Sequence, residues 1–224
     1  MNPFREFLRS FDDWLSRQYR VRVFTQDPGC ILRIQFGQVP ETVDLPDGRI
    51  ETGAPCLMIH LWNERAPLIP AEGPTLAWAL DTSRRMHTSL RLIAQYIQND
   101  PACGEIQAVG GITGHVALNG ADGGRTMLEH LGFMVIPYHR PFGAFGEFWE
   151  NFYTWWVMWT FNPASTRRRS MFNLQRTEFW MSRQAFLARY GDADAVPAGN
   201  IPLALEEELV QSHPRPAPGQ PGGI

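Results

Sequence analysis

The sequence contains no lysine, so all 20 of its Lys and Arg residues are arginine. This absence excludes a catalytic lysine, a Schiff base and a P-loop nucleotide site, each of which needs the lysine amine. Cysteine is scarce as well: Cys30, Cys56 and Cys103 lie far apart and form no Cys-x-x-Cys pair. Neither a thiolate zinc site nor a disulfide framework is indicated. We predict no metal and no cofactor.

An excess of positive charge is also missing, because the formal net charge is -3 at pH 7. Proteins that bind nucleic acid need a basic surface, so no nucleic-acid partner is expected. No run of about 18 apolar residues occurs, which argues against an ordinary transmembrane helix. Residues 1–19 mix aromatic with charged residues and lack the apolar stretch of a signal peptide. The expected location is the cytoplasm, with peripheral attachment at the inner face of the membrane as a further option.

The composition is that of a globular protein, with 44% hydrophobic and 19% charged residues. Apolar residues recur with period two in some segments and at three- to four-residue spacing in others, which indicates both strands and helices. We predict a single α/β domain over residues 1–192, with a mixed sheet and flanking helices. Residues 193–224 are rich in proline and glycine, and we predict that this tail is disordered. The predicted strands cover 21–24, 31–39, 57–62, 106–109, 133–136 and 177–181, and the predicted helices cover 4–15, 73–99, 125–131 and 183–190.

The most unusual segment is 142–161, which holds ten aromatic residues and is followed by three consecutive arginines. One interpretation is a hydrophobic core or a homodimer interface, since an aromatic face at helical spacing usually packs against protein. The other is contact with an anionic membrane surface, because Trp suits the boundary between water and lipid and arginine attracts anionic headgroups. The residues that we assign to this contact are Trp155, Trp156, Trp159, Arg167, Arg168 and Arg169.

The densest group of polar side chains follows an apolar run and spans His60 to Arg65. On a strand, His60 and Glu64 would share a face, because side chains alternate with period two. A histidine and a carboxylate together can act as acid and base. We choose His60, Glu64 and His87, the last from the following helix, as candidate catalytic residues. Asn63 and Arg65 are candidate binding residues. The alternative is that these residues have structural roles. His60 and Asn63 would then form hydrogen bonds with backbone groups where the strand passes into a loop, and His87 would lie in the core.

A glycine-rich stretch at 110–115 follows one of the predicted strands. Such stretches bind phosphate through their backbone N–H groups when a helix begins directly after them. Here Val116, Ala117 and Leu118 follow the stretch instead. We therefore predict a turn or hairpin at 110–115 rather than a phosphate site.

Residues 121–136, which include Leu131-Gly132-Phe133, resemble the closing helix and strand of GNAT-type acyltransferases. The resemblance implies a remotely GNAT-like fold and, as an enzymatic alternative, a diverged acyltransferase. Gln107-Ala108-Val109-Gly110 begins the pyrophosphate-binding pattern of that family, and Ile112 departs from it.

A longer resemblance, over residues 20–140, is to YkoP-like domains. Its most specific part is His60-Leu61-Trp62-Asn63-Glu64. This bacterial group occurs alone or attached to polysaccharide deacetylases, and it has no activity that we can assign. The resemblance implies an association with envelope polysaccharide. The other segments that carry it are 57–59, 76–79, 89–94, 106–111 and 131–133.

Together these patterns favour an accessory or interaction protein of envelope polysaccharide or lipid metabolism. It would contact a membrane or a protein partner through the aromatic segment. The alternative is an enzyme, either a diverged GNAT-like acyltransferase or a hydrolase based on His60 and Glu64. An open pocket that contains His60, Glu64 and His87 would favour the enzyme, and a filled core there would favour the interaction protein.

Overall fold

A computed structural model of the chain describes residues 20–70, 73, 75–115, 123–138 and 175–191. The predicted helix at 4–15, the aromatic segment 142–161 and the tail 193–224 lie outside the described residues. The helices are α1 (Leu76–Asn99), α2 (Gly123–His130) and α3 (Arg183–Tyr190). The strands are β1 (Leu32–Gln38), β2 (Val43–Leu45), β3 (Gly48–Ile50), β4 (Pro55–Leu61), β5 (Ala108–His115), β6 (Met134–Pro137) and β7 (Gln175–Ser182).

Five of the strands form one mixed sheet in the order β1-β4-β5-β7-β6. β4 and β5 are parallel, and every other neighbouring pair is antiparallel. A parallel pair needs a long crossover, and α1 supplies it between β4 and β5. The prediction of a single α/β domain with a mixed sheet and flanking helices is confirmed.

Three strands of the sheet, β4, β5 and β6, point the same way, because β7 is antiparallel to both β5 and β6. Their carboxyl ends therefore meet at one end of the sheet, which we call the carboxyl end. α1 begins there and runs back along the sheet, and β7 begins there as well. The β2–β3 hairpin lies at the opposite end, where Ser182 at the end of β7 donates a hydrogen bond to Asp47.

The main hydrophobic core lies between the sheet and the helices. Leu57 and Ile59, alternate residues of β4, face this side. The ring centroid of Phe186 in α3 lies 6.3 Å from that of Phe133 and 5.1 Å from that of Tyr190. The side chains of α1 that are buried in this core form one stripe and are Ser89, Leu90, Ile93, Ala94 and Ile97.

Ser89 is the polar member of that stripe, and it joins α1 to the start of β1. Its hydroxyl donates to the Arg85 carbonyl at 2.7 Å and accepts from the Ile31 N–H at 2.8 Å. A buried N–H without an acceptor costs roughly 1–3 kcal/mol. The hydroxyl therefore satisfies a backbone group that the sheet does not pair.

α1 is longer than the strands that it covers. Its 24 residues span roughly 36 Å, whereas the 7 residues of β4 span roughly 23 Å. Thr75 caps the helix by accepting from the Trp78 N–H at 3.2 Å, and the Trp78 indole donates to the Pro67 carbonyl at 3.1 Å. The buried residues of α1 all lie in its second half, between Ser89 and Ile97, whereas Leu76 and Leu80 in its first turns, near the carboxyl end of the sheet, are exposed.

A smaller core occupies the other face of the sheet. Val43 and Leu45 of the β2–β3 hairpin pack there against Cys56, Ala108 and Trp180. The hairpin therefore covers the part of this face that lies farthest from the carboxyl end.

The glycine-rich stretch 110–115 is not the predicted turn or hairpin. It is part of β5, and it pairs along its length with β7. A β-carbon on Gly110 would overlap the Phe179 carbonyl oxygen and the ring of Trp180. The glycine is therefore needed for close packing within the sheet, which the local pattern could not distinguish from a turn.

The strand predicted at 21–24 is also wrong. Only Arg22 pairs with β1, through backbone hydrogen bonds of 2.7 and 3.0 Å with Ile34. Phe24 instead packs on α1, where its ring centroid lies 5.6 Å from that of Tyr96. This contact draws the chain away from the edge of the sheet.

Candidate functional site

His60 lies on the sheet face that is opposite to the helices. It alternates with Leu57 and Ile59, which face the main core, and shares its side of β4 with Met58. Its Nε2 atom lies 2.9 Å from the Gln35 side-chain oxygen on β1. Arg33 is its direct cross-strand partner. His60 therefore lies on a polar part of this face, to which β1 contributes the side chains of Arg33 and Gln35.

The imidazole of His60 is held in its neutral form. Burial, followed by the positive charge of Arg33, lowers the pKa of His60 from 6.5 to about 4. Desolvation disfavours the charged ring, and a neighbouring guanidinium repels it. At neutral pH this residue can accept or relay a proton, but it is not a cation.

This lowered pKa predicts a loss of stability in acid. The unfolded chain takes up a proton at the ordinary pKa of 6.5, whereas the folded chain does so only near 4. The contribution of His60 to the free energy of unfolding should be complete above pH 6.5 and decline as the pH falls towards 4. The full decline is at most about 3 kcal/mol.

Chemical denaturation of the wild type and of His60→Gln, above pH 6.5 and near pH 4, measures this effect. Glutamine keeps a polar group beside Gln35 but does not titrate. The variant should lose less stability in acid than the wild type does. Equal acid losses in the two proteins would contradict the assigned pKa.

Glu64 does not share the strand face of His60. β4 ends at Leu61 and the chain turns, so the period-two expectation stops there. The Glu64 carboxylate accepts from the Trp62 indole N–H at 3.0 Å. Asn63 lies in the same turn. Glu64 is thus bound to Trp62, and the described contacts of His60 are with β1.

Arg65 stacks on Trp62 and ties the turn to the chain before β1. Its guanidinium carbon lies 3.8 Å from the centre of the Trp62 ring, which is a close cation–π contact. The same guanidinium donates to the Asp27 carbonyl at 2.9 Å. The backbone N–H of Trp62 donates to the Ile31 carbonyl at 2.8 Å. These bonds fit the structural alternative for this corner, since they fix the turn after β4.

His87 lies on the other side of the sheet from His60. It belongs to α1, and its ring centroid is 6.2 Å from that of Tyr190. Burial, and then the charges of Arg189 and Arg91, lower its pKa. Its Nδ1 atom is buried and has no hydrogen-bond partner among the described residues. The structure therefore does not bring His87 to the face that carries His60.

A buried carboxylate that the sequence analysis missed lies on the face of His60. Glu178 of β7 is 2% exposed, and it accepts from the Trp180 indole N–H at 3.1 Å. β5 lies between β4 and β7, so the backbones at His60 and Glu178 are roughly 10 Å apart or more. Period two within the predicted strand 177–181 could have placed Glu178 and Trp180 on one face.

The carboxyl end of the sheet also carries a group of exposed leucines, which we call the leucine group. Its members are between 38 and 66% exposed. They are grouped by position, since all of them lie between the last residue of β4 and the second turn of α1. The leucine group consists of Leu61, Leu68, Leu76 and Leu80.

The remaining predicted contact residues lie outside the described part of the chain, namely Trp155, Trp156, Trp159, Arg167, Arg168 and Arg169. The flanking residues are described, however. The chain leaves β6 at Tyr138 and re-enters the sheet at Gln175. Both positions lie at the carboxyl end, which is the end that carries the leucine group.

Within the described ranges, no three His, Cys, Asp or Glu side chains come together as a metal site would require. None of the helices described is long and apolar enough to cross a membrane.

Comparison with known proteins gives a match to a protein family. A family model, that of the YkoP domain, matches residues 4–190. This match is longer than the resemblance at 20–140, and it includes the aromatic segment 142–161. No curated protein and no solved structure matches the chain.

Proposed function

Since the chain belongs to the YkoP domain family, we propose that it is an accessory protein of bacterial envelope metabolism that attaches to an anionic membrane surface. The attachment is peripheral, at the inner face of the membrane, through the aromatic segment 142–161 and the leucine group. The link to envelope polysaccharide or lipid rests on the resemblance to domains that accompany polysaccharide deacetylases.

One observation carries the proposal. Segment 139–174 begins and ends at the carboxyl end of the sheet, where β6 finishes and β7 starts. The leucine group is exposed at the same end. Segment 139–174, which contains the aromatic residues, therefore leaves and rejoins the sheet at the end where the leucine group is exposed.

The chemistry of this end suits a lipid interface. Leucine side chains enter the apolar layer, and tryptophan rings prefer its boundary with the headgroups. Arg167, Arg168 and Arg169 would each add roughly 1 kcal/mol of attraction near an anionic surface. This attraction offsets the overall net charge of -3, which alone would repel the protein from such a membrane.

Vesicle co-sedimentation of the full chain tests the proposal. The wild type should pellet with phosphatidylglycerol vesicles and much less with phosphatidylcholine vesicles. Binding should weaken as salt rises, since the Debye length falls from about 10 Å at 0.1 M to about 3 Å at 1 M. The double variant Trp155→Ala/Trp159→Ala should lose most of its binding.

A second double variant, Leu76→Ser/Leu80→Ser, tests the described part of the same surface. A fully buried leucine contributes about 1.5–3 kcal/mol, so the partition coefficient should fall roughly tenfold or more. Gln95→Ser/Asn99→Ser, also exposed on α1 but at its far end, is the matched control and should bind like the wild type. Unchanged pelleting of the leucine and tryptophan variants would overturn membrane attachment.

The other interpretations predict different results. A homodimer or protein interface would appear as a larger species in sedimentation velocity, and the leucine variant would reduce it. The GNAT-like alternative predicts that acetyl-CoA binds in calorimetric titration, whereas we expect no heat of binding. The hydrolase alternative has less support, because the described contacts join Glu64 to Trp62 rather than to His60.

A further inference from the structure

A cavity of about 280 Å³ opens beside β1 at the end opposite to the leucine group. Among the described residues, two arginines, an aromatic ring and a methyl group line it. The lining residues are Arg20, Arg22, Phe36 and Ala102. Nothing in the proposed membrane contact uses this cavity, because the β1 residue Phe36 lies towards the end of the sheet where β4 begins.

The backbone holds Arg22 firmly at the cavity. Its N–H donates to the Ile34 carbonyl at 2.7 Å, and its carbonyl accepts from the Ile34 N–H at 3.0 Å. Its guanidinium carbon lies 5.8 Å from the centre of the Phe36 ring. A pair of backbone bonds and a cation–π contact therefore position this charge over an apolar wall.

Arg20 reaches the cavity from a backbone conformation that side chains disfavour. Its φ of 54° is the only positive φ of a non-glycine residue in the described part of the chain. Residues other than glycine rarely adopt the left-handed region, and such outliers concentrate at binding sites. This conformation brings a second guanidinium to the same opening.

Both guanidiniums are available to a ligand. Neither Arg20 nor Arg22 forms a salt bridge among the residues described. The nearby carboxylate of Asp100 accepts from the Ala102 N–H at 2.9 Å and also bonds to Tyr96. The hydrogen bonds from Ala102 and Tyr96, and then the charge of Arg22, lower the pKa of Asp100, but no salt bridge joins this carboxylate to either arginine among the described residues.

We propose that this cavity binds a small organic anion whose carboxylate or phosphate pairs with Arg20 and Arg22 while its apolar part rests on Phe36. Guanidinium groups match the geometry of both anions and form bidentate hydrogen bonds with them. The cavity is slightly smaller than typical ligand sites of about 300–1,000 Å³, which restricts the ligand to the size of a single substituted ring.

Titration of the full chain followed by NMR tests this inference, with the Ala102 methyl signal reporting from inside the cavity. Phenyl phosphate is the probe. Benzoate replaces the phosphate by a carboxylate, inorganic phosphate lacks the aromatic ring, and benzyl alcohol lacks the negative charge. Phenyl phosphate and benzoate should shift the signal saturably. Inorganic phosphate should bind more weakly for lack of the ring, and benzyl alcohol should not bind for lack of the charge.

Arg22→Gln should weaken phenyl phosphate binding at least tenfold, and Arg20→Gln should do likewise. Both side chains are exposed or at the cavity mouth, so the fold should persist, and an unchanged thermal midpoint verifies this. Arg84→Gln, an exposed arginine on α1, is the matched control and should bind like the wild type. Equal affinity of the wild type and both cavity variants, or no saturable shift with either aromatic anion, would overturn the proposal.

Discussion

Gly110→Ala is expected to destabilise the protein by at least about 3 kcal/mol, or to prevent folding. The new methyl group would overlap the Phe179 carbonyl oxygen and the ring of Trp180. A side chain can rotate away from a clash, but the backbone of β7 cannot move without losing its pairing with β5. Overpacking against backbone therefore costs more than overpacking against a flexible side chain.

Chemical denaturation of the variant and of Gly37→Ala measures this effect. Gly37 lies in β1 of the same sheet, but a β-carbon there would first meet the Met58 sulfur at 3.1 Å. That thioether is flexible, so the control should lose less than about 1 kcal/mol. Equal stability of the two alanine variants would contradict the close contact of Gly110 with Phe179 and Trp180.

Trp180→Ala should cost roughly 3–5 kcal/mol, because it deletes one of the largest fully buried side chains and leaves a cavity. The indole packs under the β2–β3 hairpin with Val43 and Leu45. It also donates to the buried carboxylate of Glu178, which would lose that partner.

The variant Trp180→Phe separates these two effects. Phenylalanine keeps most of the apolar contact but cannot donate to Glu178, so a loss of about 1–3 kcal/mol is expected. Thermal or urea unfolding of both variants gives the values. A phenylalanine variant as unstable as the alanine variant would assign the whole effect to the hydrogen bond, against our expectation that packing dominates.

Local patterns were sufficient for the elements that local forces determine. The helix predicted at 183–190 is the observed α3, whose Ser182 caps it by accepting from the Ala185 N–H at 3.0 Å. The helix predicted at 73–99 begins at Leu76 and ends at Asn99. In both cases the helical spacing of apolar residues and the capping residue lie close together in the sequence. The sequence alone therefore indicates where each helix lies.

Features that depend on distant partners were not predictable in this way. Glycine next to glycine usually marks a turn, and only Trp180 on another strand shows that Gly110 belongs to a sheet. His60 and Glu64 were expected on one face, but β4 ends before Glu64, which bonds to Trp62 instead. The helix-side position of His87 follows from the crossover between β4 and β5, which sequence spacing does not reveal.

The position of β7 bears on how the chain folds. It is the last strand in the described sequence, yet it lies between β5 and β6 in the sheet. Neither neighbour can form its antiparallel pairs until the ribosome has released Gln175–Ser182. Pairing between strands that are far apart in sequence is slow, and open strand edges favour aggregation in the meantime. The nascent chain therefore keeps one edge of β5 and the whole of β6 unpaired while its aromatic segment is synthesised.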